Sequence, residues 1–112
     1  MIFNKTSKRI IVKEHSFCSS FLCQFRGLMF TKKRKDFALV FIFPKVRKVA
    51  LHMFFVFYPI TVLFLDDKKK VIEIRNDFLP FQIYFSKVKS KYVIEITAST
   101  QGLVRENDFL SF

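Results

Sequence analysis

Two histidines and nine acids are the side chains of this 112-residue chain best suited to move a proton or hold a ligand. His52 stands inside a long apolar run, Val49–Leu65, and His15 stands apart near the start of the chain. A histidine in such a run is usually neutral and held by one partner. The functional alternative is a pocket histidine working with Glu95 or Asp108, because imidazole titrates near neutrality and suits acid–base work or ligand binding. Met53 and Arg26 complete a candidate ligand-binding set of His52, Met53, Arg26, Glu95 and Asp108. Each has a plainer reading. Met29 and Met53 beside so many Phe residues read as core filler. Arg26 would complement the dipole at the end of a helix, and Asp66-Asp67 reads as turn chemistry. No Ser-His-Asp order, P-loop, dinucleotide-binding Gly-rich loop or zinc-ligand spacing is present, so no catalytic residue, metal ligand or cofactor is expected.

The elements that would position these residues are mostly strands. Lys8–Lys13 reads as a short edge strand with charged ends. Phe37–Phe43 is apolar on both faces and should stop at Pro44. Residues 50–57 and Ile60–Leu65 read as buried strands broken at Pro59, which cannot donate to a ladder. Asp66–Lys70 makes a turn. Val71–Asn76 then alternates, with Ile72 and Ile74 expected inward and Glu73 and Arg75 outward. Tyr92–Ile96 puts Tyr92, Ile94 and Ile96 on one face and Glu95 on the other. Phe109–Phe112 is a last short strand. One helix is expected at about 16–26: Ser16 is its N-cap, Phe17, Phe21, Leu22 and Phe25 fall at helical spacing, and Gly27 suits its C-terminal cap. Six or seven short strands without βαβ alternation predict a mainly β fold. The expected form is a small mixed or antiparallel sheet curled into a partial or closed barrel, as a single domain over 1–112.

Charge bears on partners. Twenty Lys and Arg against nine acids give +11, a surface that attracts polyanions. Lys32, Lys33, Arg34 and Lys35, with Lys45, Arg47 and Lys48, are the candidate nucleic-acid-binding residues, in loops that are otherwise solvated Lys-rich turns. Exposed Phe or Tyr beside those loops would favour that reading. Cys18 and Cys23 match no zinc site, and the start of the chain has no signal-peptide apolar segment, so a reduced, cytoplasmic chain is expected. The run at 49–65 is shorter than the ~20 residues of a spanning helix and is interrupted by His52, Pro59 and Thr61.

Several pieces in series carry a family resemblance. Arg26-Gly27-Leu28-Met29-Phe30, Ala38–Phe43, His52-Met53-Phe54-Phe55-Val56, Tyr58-Pro59-Ile60 and Leu63-Phe64-Leu65-Asp66 come first. Val93-Ile94-Glu95-Ile96 and Asn107-Asp108 follow. This ordered set, over about residues 16–112, resembles domain-of-unknown-function family 192. The resemblance implies a compact β-rich fold with barrel character and one short helix, and no established activity. Thr61 stands where many relatives have Asp, Thr97 and Ser99 where Pro and Gly are common, and Asn107 where Gly often precedes the Asp.

The leading expectation is a non-enzymatic binding or accessory module for a small ligand or a protein. The alternatives are RNA binding through the Lys/Arg loops, an enzyme using His52 with Glu95 or Asp108, and, least supported, membrane association through the same loops.

Overall fold

A computed structural model describes residues 1–20, 23, 36–53, 56–97 and 102–112. The described elements are ten strands: β1 (Ile2–Asn4), β2 (Arg9–Val12), β3 (Glu14–Cys18), β4 (Phe37–Arg47), β5 (Ala50–His52), β6 (Ile60–Leu65), β7 (Val71–Phe78), β8 (Ile83–Phe85), β9 (Ser90–Ile96) and β10 (Leu110–Ser111). They form a five-stranded sheet ordered β3-β4-β9-β6-β7, a three-stranded sheet ordered β10-β1-β2 and a two-stranded ribbon of β5 and β8. The fold is mainly β, but among the described residues no closed barrel is found; the sheets stack as layers, with an antiparallel bridge between Lys70 and Phe109 joining the five-stranded sheet to the three-stranded one.

The central strands are apolar on both faces because both faces are covered. On one face Val40, Leu63, Ile94 and Ile96 pack under Ile2, Val12 and Leu110 of the three-stranded sheet. On the other, Phe41, Val62, Phe64 and Val93 cluster with Met53, Val56 and Tyr58, and Leu51 and Tyr84 of the ribbon pack against them. Two thin cores therefore sandwich one sheet. Burying Phe64, which is fully buried, contributes roughly 1.5–3 kcal/mol.

Several expectations change. The helix expected from Ser16 is not seen: Glu14–Cys18 is an edge strand running parallel to β4, with Glu14 opposite Phe37 and Cys18 opposite Phe41. Tertiary pairing overrides the local helical spacing there. Ser20, not Ser16, accepts a backbone N–H three residues on, from Cys23 at 3.2 Å. The other residues that carried the helical spacing, Phe21, Leu22, Phe25 and Gly27 among them, lie outside the described residues. Strand β4 runs through Pro44 to Arg47, because its register against β9 shifts between Ile42 and Arg47. Pro44 sits where a ladder N–H is not required. Of the strand expected at 50–57, only Ala50–His52 is described as strand. Strands β1 and β8 were not anticipated.

The expected reduced cysteines are joined. Cys18 and Cys23 form a disulfide across 5.7 Å between Cα atoms, tying the end of the parallel edge strand to the segment after it. Among the described residues no helix is long and apolar enough to cross a membrane.

Turn chemistry holds where it was expected. Asp66 Oδ1 accepts the N–H groups of Lys68 and Lys70, both at 2.9 Å, closing the turn between β6 and β7. Asn107 adopts φ 75°, the left-handed conformation that makes it a workable substitute for Gly. Thr97 closes the end of β9: its N–H and its Oγ1 both donate to the Phe37 carbonyl, at 3.0 and 3.1 Å. Proline there would remove the first of these bonds.

Candidate functional site

The segment from Leu79 to Ser86 is built inside out. Leu79, Phe81, Ile83 and Phe85 point to solvent, and Gln82, Tyr84 and Ser86 turn inward. Phe85 is 71% exposed, Phe57 61% and Phe81 59%. The Phe57 and Phe81 rings meet edge to face at 6.3 Å between centroids. His52 lies opposite Ile83 in the ribbon register and Ala50 lies opposite Phe85, so both belong to the same outward face.

The inward side chains explain why this inversion is tolerated. Glu73 of β7, expected to face out, is only 6% exposed. The bulge between Phe64 and Leu65 resets the β6–β7 register and sets Glu73 opposite Phe64, on the ribbon side. Its carboxylate accepts the Tyr84 hydroxyl and the backbone N–H groups of Lys87 and Val88, the latter two at 2.8 and 3.2 Å. Burial and the Glu73 hydrogen bond push the Tyr84 phenol up to about 12. Gln82 Oε1 accepts from Leu79 N and from Arg75 Nη2. The Arg75 guanidinium lies over the Tyr84 and Phe78 rings at 5.4 and 5.9 Å. Ser86 Oγ accepts Val49 N–H at 2.7 Å and donates to the Val88 carbonyl. Apart from Arg75 Nε, which is buried without a hydrogen-bond partner among the described residues, the polar groups named here are paired, so the ribbon is clamped to the sheet while Ile83 and Phe85 stay outside.

The clamp also places charge. Ser86 N donates to the Val49 carbonyl at 2.8 Å, continuing the ribbon ladder by one pair. Lys48 and Lys87, next to that pair, are exposed at the Phe85 end of the ribbon. Lys45 and Arg47 are exposed too, on β4 rather than in a loop, and the Arg47 guanidinium sits 5.5 Å over Phe43. Lys32, Lys33, Arg34 and Lys35 lie outside the described residues, as does Arg26.

The other expected site residues separate. Met53 is buried in the ribbon-side core, and its carbonyl accepts Phe81 N–H at 2.9 Å. Glu95 is on the same side of the sheet, opposite Leu39 on β4 and Val62 on β6, and is 8% exposed. Burial among apolar neighbours pushes its carboxyl up to about 8, so it is largely protonated at neutral pH. Asp108 belongs to the opposite cap: its Oδ2 accepts from Asn4 Nδ2 at 2.8 Å and Arg105 N at 2.9 Å. The described side-chain bonds of Asp108 therefore lead to Asn4 and Arg105. Thr61 is buried opposite Ile96, on the face away from Glu95. Among the described residues no cluster of three His, Cys, Asp or Glu could hold a metal ion.

Sequence reasoning missed the ribbon because it passed over residues 82–86. The signal was present as alternation of Leu79, Phe81, Ile83 and Phe85 with Gln82, Tyr84 and Ser86. Read by the usual rule, that pattern puts the apolar set inside.

A layered β fold with a ribbon clamped to one face of its central sheet defines the class as a small layered β domain. The chain belongs to the family described as "Uncharacterized ACR, COG1430" (DUF192), whose model matches residues 2–108. It is 35% identical over 97 residues to a UPF0127 protein of Thermococcus sibiricus, covering 85% of this chain and 62% of that relative. The same identity and length relate it to a UPF0127 protein of Pyrococcus horikoshii, of which it spans 82%. Two solved structures share the fold. A Sinorhizobium meliloti protein described as a candidate transcription regulator superposes with a TM-score of 0.86 at 21% identity, covering 98% of this chain and 88% of that one. A Novosphingobium aromaticivorans protein of unknown function superposes with a TM-score of 0.85 at 17% identity, covering 99% and 82%.

Proposed function

We propose that this chain is a binding module rather than an enzyme, and that it works through the outward face of the β5–β8 ribbon. The observation that carries this reading is the inverted alternation at 79–86. Contiguous exposed apolar surface rimmed by polar groups marks interaction sites. Here the polar residues that would normally face water are instead spent on holding the ribbon to the sheet. Phe81 strengthens the point. It is held at φ 64°, which costs roughly 1–2 kcal/mol for a residue with a β-carbon, and that conformation sets its ring beside Phe57. The partner that fits is a protein offering apolar surface and acidic residues to meet Lys48 and Lys87.

Site-specific photo-crosslinking in cells tests this, with Phe85→p-benzoylphenylalanine as the probe and exposed Lys13 as the control position. The expected result is a discrete protein adduct from position 85 and none from position 13. Equal labelling from both positions, or none, overturns it.

A second reading rests on the placement of Phe85 near Lys48 and Lys87. Exposed rings beside cations are what single-stranded nucleic acid uses for stacking and phosphate contact. A ribonuclease-sensitive adduct from position 85, with affinity for a labelled RNA that falls steeply with salt, selects this reading.

Cytoplasmic location is part of the proposal. The Cys18–Cys23 bridge bears on it, because most structural disulfides persist in oxidising compartments. Thiol titration of protein isolated with its native redox state trapped would return two thiols for a cytoplasmic protein held reduced. Zero thiols would overturn the cytoplasmic location.

A further inference from the structure

A polar cleft lies on the opposite cap, remote in the chain from the ribbon. It encloses about 330 Å³ and is lined by Thr6, Ser7, Arg9, Leu103, Arg105 and Asp108, with Gly102 at its margin. That volume is near the lower end of small-molecule sites, roughly 300–1,000 Å³.

The cleft is built around one buried amide. Asn4 has no exposed surface, and both ends of its side chain are used. Its Oδ1 accepts Thr6 N–H at 3.0 Å and Ser7 N–H at 3.2 Å, fixing the first wall. Its Nδ2 donates to the Leu103 carbonyl at 2.9 Å and to Asp108 Oδ2 at 2.8 Å, fixing the second. Phe109 N–H to Thr6 Oγ1, at 2.9 Å, and Lys5 N–H to the Phe109 carbonyl, at 2.8 Å, join the walls again. A fully satisfied buried polar residue of this kind makes the cleft rigid before any ligand arrives.

The charges in the cleft are left uncommitted by that scaffold. Asp108 spends Oδ2 on Asn4 and Arg105 N; among the described residues Oδ1 has no hydrogen-bond partner. Arg9 and Arg105 line the same space, and among the described residues neither guanidinium makes an ion pair or a hydrogen bond. Two arginines, two hydroxyl-bearing residues and one aspartate thus line one preformed volume. Guanidinium forks bind phosphate or carboxylate bidentately, and an open carboxylate oxygen takes a donor. Gly102, at φ 82°, has nothing within 4 Å of where a β-carbon would stand, so the margin is open.

We propose that this cleft binds a small molecule carrying a phosphate or carboxylate group next to a hydroxyl. Arg9 and Arg105 take the oxyanion and Asp108 Oδ1 takes the hydroxyl donor.

Amide chemical-shift titration with inorganic phosphate, glycerol 3-phosphate and glycerate tests this directly. The expected result is saturable shifts confined to residues 4–9 and 102–109. Tighter binding of glycerol 3-phosphate assigns a phosphorylated ligand, and tighter binding of glycerate a carboxylated one. The Arg9→Gln/Arg105→Gln pair is exposed and should leave the unliganded melting temperature unchanged while weakening binding about tenfold or more. Asp108→Asn should weaken the two hydroxylated probes more than inorganic phosphate. Phe85→Asp, on the ribbon, should leave all three affinities unchanged, which separates this site from the proposed partner surface. Unaltered binding in the double arginine variant, shifts centred elsewhere, or no shift with any probe at millimolar concentration overturns the proposal.

Discussion

The five-stranded sheet is capped on both faces, and the two caps obey opposite rules. The three-stranded cap follows the ordinary one on its inner face: Ile2, Val12 and Leu110 point inward and are fully buried, while Ser111 and the partly exposed Ile10 share the outer face. The β5–β8 ribbon reverses it, with Tyr84, Gln82 and Ser86 inside and Ile83 and Phe85 outside. The first cap is held by the hydrophobic effect, with the Asn4 hydrogen bonds tying its edge. The second is held by Leu51 and Tyr84 on the apolar core and by hydrogen bonds converging on Glu73. A layer fastened partly by polar bonds can present apolar surface to a partner; a layer fastened by its apolar residues has little left to present.

The largest effect is expected where both caps depend on the same strand. Phe64→Ala removes a fully buried ring from β6 that packs 5.9 Å from Tyr84, and should cost about 3–5 kcal/mol in chemical denaturation. Glu73→Ala sharpens the comparison. It leaves a hydroxyl and two N–H groups without their acceptor, at about 1–3 kcal/mol for each group that stays buried, so a total near 2–4 is expected. Hydrogen exchange should then quicken in β5 and β8 and not in β1, β2 or β10. Equal quickening in both caps would break the comparison.

Glu95 makes the next prediction through pH. Its folded pKa, about 8, lies above the ordinary value of 4.5, so between these the native state holds more protons than the unfolded one. Stability contributed by the neutral acid is therefore full below about 4.5 and lost as pH rises toward 8. The slope is at most about 1.4 kcal/mol per pH unit. Glu95→Gln should flatten that slope, seen in denaturation midpoints from pH 4 to 8. The smallest effect belongs to the ribbon surface. Phe85→Asp should change stability by less than about 0.5 kcal/mol, since its ring is mostly in water. It should still abolish partner capture.

Much of the sheet was legible from local pattern. Ile60–Leu65 and Tyr92–Ile96 are apolar enough to be strands in any setting, and Asp66 and Asn107 announce their turns through side-chain and backbone chemistry that needs no distant partner. The single buried acid of the central strand, Glu95, was also placed on the correct face by alternation alone. The site was far less legible. His52, Met53, Glu95 and Asp108 are candidates by residue type, yet the fold sends Asp108 to one cap and the other three toward the opposite side of the sheet.

What the sequence determined by itself was the β class, the main strands and the net charge, because propensity, alternation and composition need no tertiary partner. The tertiary structure decided the rest. Phe17 lies on a parallel edge strand because β4 offers hydrogen bonds that outweigh helical spacing. Glu73 turns inward because a bulge in the β6–β7 ladder sets its register and Tyr84 and the 87–88 backbone supply its donors. Phe85 turns outward because Tyr84 has taken the inner face. Each of these outcomes depends on a partner far away in the chain, and no short window of residues contains that partner.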